Sequence, residues 1–78
     1  MPADQPSARV LAYRVAVGVR VREAREWANL TQEGLAHAAG LSRDTIVRVE
    51  LGTRTARLDW LVQIADALDV PPASLLPD

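Results

Sequence analysis

Two short segments with helical periodicity stand in tandem in the middle of the sequence, and each is bounded by residues that start and stop helices. Thr31 precedes the first segment, which runs to about Ala39 and is stopped by Gly40. Ser42 precedes the second segment, which ends near Leu51-Gly52. Because the connection between them is so short, the sequence predicts two short helices joined by a tight turn.

The residue types in these segments predict which faces pack together. One face carries apolar side chains, and the small Ala36 among them would let the two helices cross closely. These residues are Leu35, Ala36, Leu41, Ile46 and Val49. The other face of the second segment, which stays free, carries Arg43, Asp44, Val47 and Arg48. Two short helices joined by a short connection that contains a glycine are typical of a helix-turn-helix motif.

The segment before this pair gives two competing signals. Apolar residues at steps of three and four predict one face of a long helix up to about residue 28, and they are Val10, Tyr13, Val17, Val21, Ala24 and Ala28. The alternation of Val15, Val17, Val19 and Val21 is a strand pattern, and Gly18 weakens both interpretations. Asn29 is expected to end the helix in a left-handed conformation.

The segment after the pair predicts one further long helix and a short one. A polar loop occupies residues 53–57, and the apolar stripe of a fourth helix follows at Leu58, Leu61, Ile64, Ala65 and Leu68. Pro71-Pro72 breaks the chain and can start a fifth helix carrying Leu75 and Leu76. The expected fold class is therefore all-α, a compact bundle of four to five short helices. Residues 1–8, which are polar and carry two prolines, are expected to form a flexible arm before a single domain over residues 9–78.

Composition narrows the possible functions. The chain has no cysteine, and its single histidine, His37, has no second ligand or nucleophile beside it, so we expect no catalytic site, no metal site and no cofactor. The apolar stretch 10–21 contains Arg14 and Arg20 and is far short of the roughly 20 residues needed to span a bilayer. We expect a soluble, cytoplasmic protein that is not an enzyme and has no membrane partner.

Charge is distributed unevenly along the chain, although the net charge is only −1. Residues 1–57 hold all nine arginines and six acidic residues, a balance of +3. Residues 58–78 hold four acidic residues and no base, a balance of −4. This asymmetry predicts one electropositive face, which favours nucleic acid as a partner, and an acidic far end.

Several stretches of the sequence match the pattern of one known family. They are Arg22–Arg25, Leu30–Ala36, Gly40–Ser42, Thr45-Ile46, Arg48–Glu50, Gly52, and the closing set Leu61, Ile64, Ala65, Leu68 and Val70-Pro71. On these residues, positions 17–76 resemble the phage repressor and Cro type of helix-turn-helix domain, the XRE family, whose fold is lambda-repressor-like. The departures are Gly34 in place of a longer helix former, the apolar Val47 and Leu51, and the extension before residue 17.

The resemblance implies a role for each matching position. Gln32 would anchor on a DNA phosphate and brace the recognition helix, which covers about residues 42–51. Arg43 and Arg48 would read guanine, and Asp44 would either accept from cytosine or orient Arg48, of which we favour the second. Val47 would touch a thymine methyl or be an ordinary partly buried residue. Arg25 and Glu50 would form a structural ion pair. The remaining expected DNA-binding positions are Ser42, Thr45, Thr53 and Arg54, the last three through phosphates.

Together these features predict a sequence-specific regulator of transcription that binds double-stranded DNA as a homodimer, of prokaryotic nucleoid-associated or phage type. The resemblance implies self-association through the C-terminal helices, and the candidates are Trp60, Val70, Pro72, Leu75 and Leu76. The apolar N-terminal segment with Leu11, Val15 and Val19 is the alternative interface. The alternative function is a protein-interaction module, an antitoxin or anti-regulator, that binds mainly a protein partner.

Overall fold

Four α-helices and one 3₁₀ helix make up the computed structural model, which describes residues 5–77. The α-helices are α1 (Ala8–Trp27), α2 (Gln32–Ala39), α3 (Arg43–Leu51) and α4 (Leu58–Leu68), and the 3₁₀ helix covers Pro72–Leu75. No strand occurs among the described residues, so the all-α prediction is confirmed. None of the helices in this range is long and apolar enough to cross a membrane.

The first segment is one continuous helix, so the strand pattern in its valines is overridden. Ser7 caps α1, since its hydroxyl accepts from the backbone N–H of Val10 at 3.1 Å. The last residue of the predicted arm, Ala8, is therefore the first residue of α1, and residues 1–4 of that arm lie outside the described range. In the helix, Val17 and Val21 are buried while Val15 and Val19 lie on an exposed side.

The predicted apolar face of α1 is buried only in its middle. Val10 and Tyr13 remain 44% and 38% exposed, and Ala28, just after the helix, is exposed. The reason is length, because α1 has 20 residues, about 30 Å, whereas the other α-helices have 8 to 11. The shorter helices cannot cover the first turns of α1.

A small aliphatic core joins all five helices. Its fully buried side chains are Val21, Leu35, Ile46, Val49, Ile64 and Leu75. They come from every helix of the chain, so the α2–α3 pair is held between α1 on one side and α4 on the other. The core fixes which face of α3 is left outside.

The helix ends follow the predicted stop signals. Asn29 has φ 58°, as expected of a left-handed terminator, and Gly40 and Gly52 both have φ 71°. The predicted fifth helix is a single 3₁₀ turn that ends at Leu75, which is buried, whereas Leu76 lies just beyond it and is 46% exposed. Because Leu75 lies in the core, it is not available to contact a partner, and the prediction that it joins a dimer interface is wrong.

Glycine at position 18 lets α1 and α3 cross at close range. A Cβ atom there would lie 2.5 Å from the carbonyl oxygen of Val49 and would also collide with that of Glu50. Gly52, at the end of α3, meets α1 in the same way, because a Cβ there would lie 2.9 Å from the backbone of Val15. These two contacts set the position of α3 against α1.

Candidate nucleic-acid interface

The outward side of α3 is a row of five side chains at helical spacing. Arg43, Asp44 and Leu51 are exposed, and Val47 and Arg48 are half-buried. Ile46 and Val49 point the other way, into the core. The structure thus brings four of the predicted base-contacting residues to one surface, and it adds Leu51, which is 64% exposed.

Arg48 and Asp44 are joined on this surface. Arg48 Nε lies 3.0 Å from Asp44 Oδ2, one helical turn away, and the two side chains are 40% and 70% exposed. An exposed pair of this kind adds little to stability. Its effect is to place the guanidinium of Arg48 beside Asp44 and to neutralise that carboxylate.

The start of α3 is fixed by two hydroxyl groups. Ser42 Oγ accepts from the backbone N–H of Thr45 at 3.1 Å, and the hydroxyls of the two residues lie 2.8 Å apart. This is an N-cap with a second bond added. It leaves Ser42 exposed and Thr45 half-buried at the positive end of the helix dipole, which favours anions.

The start of α2 lies beside the start of α3. A polar hollow of 420 Å³ separates them, lined by Thr31, Gln32, Glu33 and Arg43. Gln32 Nε2 donates to Glu50 Oε1 at 3.1 Å, so the side chain predicted to brace α3 does contact that helix. The same amide is half-buried and is held at the edge of the hollow.

A bidentate ion pair anchors α3 from behind. Arg25 Nε and Nη2 donate to the two carboxylate oxygens of Glu50 at 2.6 and 3.0 Å, and Arg25 Nη1 donates to the Leu30 carbonyl at 2.8 Å. The side chains are only 12% and 4% exposed. The hydrogen bonds to Glu50 raise the pKa of Arg25 above its usual value, against the opposing effect of burial. With Gln32 as third partner, this cluster ties α1, α2 and α3 together.

The loop after α3 carries the last two predicted positions. The backbone N–H and the hydroxyl of Thr53 both donate to the Arg48 carbonyl, at 3.2 and 3.4 Å, so Thr53 completes the end of α3. Arg54 is exposed. The next residue is tied to α1, because Arg14 Nη2 donates to Thr55 Oγ1 at 2.7 Å.

Sequence reasoning missed the role of Arg14 and the exposure of Trp27. The signal for Arg14 was an arginine inside an apolar stretch, which the structure explains by its bond to the loop. Trp27 is 90% exposed at the end of α1, and the signal was its position outside the predicted apolar face of that helix. Trp60 is half-buried beneath Arg57, whose guanidinium lies 5.4 Å from its ring.

Comparison with known proteins finds helix-turn-helix proteins. A sequence model of the helix-turn-helix domain family matches residues 16–76. Two uncharacterized HTH-type transcriptional regulators of Sinorhizobium fredii, y4aM and y4wC, are each 32% identical to the chain over 75 and 76 residues. These alignments cover 96% and 97% of this chain but only 52% and 53% of the relatives, so the chain spans about half their length.

Solved structures with similar folds include proteins of the same size. The restriction-modification controller protein C.AhdI from Aeromonas hydrophila is 40% identical, with a TM-score of 0.78, over 80% of this chain and 94% of that one. The hypothetical transcription factor NHTF from Neisseria is 28% identical, with a TM-score of 0.81, over 99% of this chain and 86% of that one. The DNA-binding domain of BldD is 25% identical, with a TM-score of 0.76, over 85% of this chain and 96% of that one.

Proposed function

The chain belongs to the helix-turn-helix domain family and is of the XRE type that its sequence resembles, and on this basis we propose that it is a sequence-specific regulator of transcription that binds double-stranded DNA. In this proposal α3 enters the major groove with its outward row of side chains against the base edges. The observation that carries the proposal is that α3 exposes two arginines on one side while the Arg25–Glu50–Gln32 cluster fixes its other side. A helix held in this way can present side chains to a groove in a fixed direction.

Each exposed side chain of α3 has a proposed role. Arg43 and Arg48 read guanine through its O6 and N7 atoms, since two parallel donors match that pair of acceptors. Asp44 orients Arg48, as their contact of 3.0 Å supports. Val47 and Leu51 offer apolar surface on the same side of α3, which suits the methyl group of thymine.

The residues around α3 are proposed to position the helix through phosphates. Gln32 and the hydroxyl pair Ser42–Thr45 lie at two adjacent helix starts, where backbone N–H groups and helix dipoles favour an anion. Thr53 and Arg54 are proposed to contact phosphates after the end of α3. Contacts of this kind fix register on the duplex without selecting sequence.

We propose further that the regulator binds as a homodimer, because one such helix contacts too few base pairs for a unique site. The proposed interface is the C-terminal surface around Leu76. That surface lies within residues 16–76, the part shared with the family, whereas Leu11 lies in the extension before it. Two half-sites about 34–36 Å apart would then face the two α3 helices.

Titration of a duplex with the protein at several salt concentrations tests the DNA-binding proposal. Neutralisation of several phosphates releases counterions, so the affinity should fall by about 10³–10⁵ between 50 and 200 mM salt if some 6–10 phosphates are contacted. An affinity that does not respond to salt would contradict the proposed interface.

One observation favours a second function, that of a protein-interaction module. Trp27 is 90% exposed at the end of α1, and tryptophan is enriched at protein–protein interfaces. A Trp27→Ala variant that loses a protein partner and keeps its DNA affinity would assign this function to the α1 end in addition to DNA binding.

A further inference from the structure

An apolar groove of 580 Å³ lies beneath the first turns of α1. Its floor is formed by core residues Val17, Val49 and Leu61, and Val10 and Tyr13 overhang it from α1. Leu76, which also lies on the proposed dimer surface, lines it as well. The groove exists because α1 is longer than the helices beneath it. Its volume is within the roughly 300–1,000 Å³ that is typical of sites for small molecules.

All the charged side chains that line this groove are arginines. Arg9, Arg14 and Arg54 lie around it, and within residues 5–77 no acidic side chain lines it. The same described residues supply no ion-pair partner to any of the three. Because the net charge of the chain is −1, an apolar groove bordered only by cations differs from the average charge of the surface.

Two of the three arginines are held in place. The guanidinium of Arg9 lies 5.6 Å from the centre of the Tyr13 ring, a cation–π distance. Arg14 Nη2 donates to Thr55 Oγ1 at 2.7 Å, which uses only one of the five N–H groups of that side chain. Preorganised guanidinium groups with free donors match the two oxygens of a carboxylate.

We propose that this groove binds a small amphipathic carboxylate, with its alkyl chain on Val17, Val49 and Leu61 and its carboxylate among Arg9, Arg14 and Arg54. The apolar floor explains why the ligand needs a hydrocarbon body, and the arginines explain why it is an anion. A free phosphate or a nucleic-acid backbone would satisfy the arginines and leave the apolar floor uncovered. The ligand class is that of medium-chain fatty acids and related acyl carboxylates.

The site touches two parts of the proposed DNA interface. Val49 is the buried side of α3, and Arg54 is in the loop that follows it. A bound carboxylate would neutralise Arg54 and should weaken DNA binding. That consequence rests on the proposed function, whereas binding of the carboxylate does not, so the two can fail separately.

The test is a titration of the 78-residue protein, without DNA, with octanoate and with 1-octanol, followed by methyl NMR and calorimetry. We expect saturable shifts confined to the methyl groups of the groove floor. Since octanol lacks the charge that the arginines bind, we expect it to bind at least about tenfold more weakly.

A pair of variants assigns the site. Val10→Asp puts a negative charge over the groove, near the start of α1 where an acid is compatible with the helix dipole, and should weaken octanoate about tenfold or more. Val62→Asp, at a valine of α4 with similar exposure (39% against 44%), should change it less than about twofold. The proposal would be overturned if octanoate shows no saturable binding, if octanol binds as tightly as octanoate, or if the two variants have equal effects. A self-association that Val10→Asp abolishes would also overturn it, since a second copy would then be the occupant.

Discussion

Arg48 is the residue on which the proposed reading of DNA depends most. It is the only arginine of α3 whose direction is set by a neighbour, since Asp44 holds its Nε at 3.0 Å within the described part of the chain. A guanidinium fixed in direction loses less entropy when it meets guanine than one that is free to rotate. We therefore propose that the carboxylate of Asp44 acts on base selection through Arg48.

We predict that Arg48→Ala weakens binding to the preferred site by about 1–3 kcal/mol and removes the preference at one base pair. Arg22→Ala is the matched control, because Arg22 also pairs with an acid one turn away, Glu26, but lies on α1. It should leave every base preference as it was. Competition binding with a set of single-base variants of the site measures both, and an unchanged preference in Arg48→Ala would remove Arg48 from the base-reading residues.

Glu50 is the residue on which the placement of α3 depends. Its two oxygens accept from Arg25 and from Gln32, and it is 4% exposed. The pKa of Arg25 is raised by this partner, so titration of Arg25 itself removes the associated stabilisation only in strongly alkaline solution.

Removal of Glu50 should leave the charge of Arg25 buried. We predict that Glu50→Ala lowers the free energy of unfolding by about 3–5 kcal/mol. Glu26→Ala breaks an exposed pair, in which both side chains are more than half exposed, and should cost less than about 1 kcal/mol. Urea denaturation of the two variants gives the comparison, and equal losses would mean that the Arg25–Glu50 pair does not hold the fold.

At the scale of the helices, α2 and α3 could be predicted closely from the sequence because their boundaries are set locally. Thr31 and Ser42 each accept from a backbone N–H three residues on, and Gly40 and Gly52 each take the left-handed conformation. A cap or a left-handed residue depends on its immediate neighbours alone, so its type in the sequence is sufficient to identify it.

The parts that could not be predicted depend on distant contacts. The strand pattern in the valines of α1 is decided by packing on α3, and the groove under α1 exists only because the other helices are shorter. The bond between Arg14 and Thr55 joins residues 41 positions apart. In the predicted interface the row on α3 followed from helical spacing, whereas the bracing role of Gln32 came from the family resemblance alone. Its hydrogen bond to Glu50 was not predicted.

The close crossing of α1 and α3 reverses the effect on stability that helix propensity alone would give to a glycine-to-alanine substitution. Gly18→Ala should destabilise the protein by about 1–3 kcal/mol, because its Cβ meets backbone oxygens that cannot move aside. Gly34→Ala, in α2, should be neutral or stabilising by up to about 1 kcal/mol, because its Cβ meets only side-chain atoms at 3.2 Å or more. Thermal or urea unfolding of both variants measures these changes in stability. A stabilised Gly18→Ala variant would show that α1 and α3 are not in close contact.

At the scale of the whole molecule, two leucines of equal exposure lie on the two candidate dimer interfaces. Leu11 is 45% exposed and Leu76 is 46% exposed. We predict that Leu76→Asp converts a dimer to a monomer in sedimentation experiments and that Leu11→Asp does not, since a charge buried at an apolar interface opposes association. The reverse result would place the interface on the extension of α1, and two monomeric or two dimeric variants would contradict the C-terminal interface.

Selection from random duplex DNA at near-physiological salt tests the proposal that the outward side of α3 reads DNA sequence. The wild-type chain and the Arg43→Ala, Arg48→Ala double variant are selected in parallel, after both have been shown to be folded. We expect the wild type to enrich a two-fold symmetric site and the double variant to enrich none. Absence of enrichment by the folded wild type, or the same site enriched by both proteins, would contradict it.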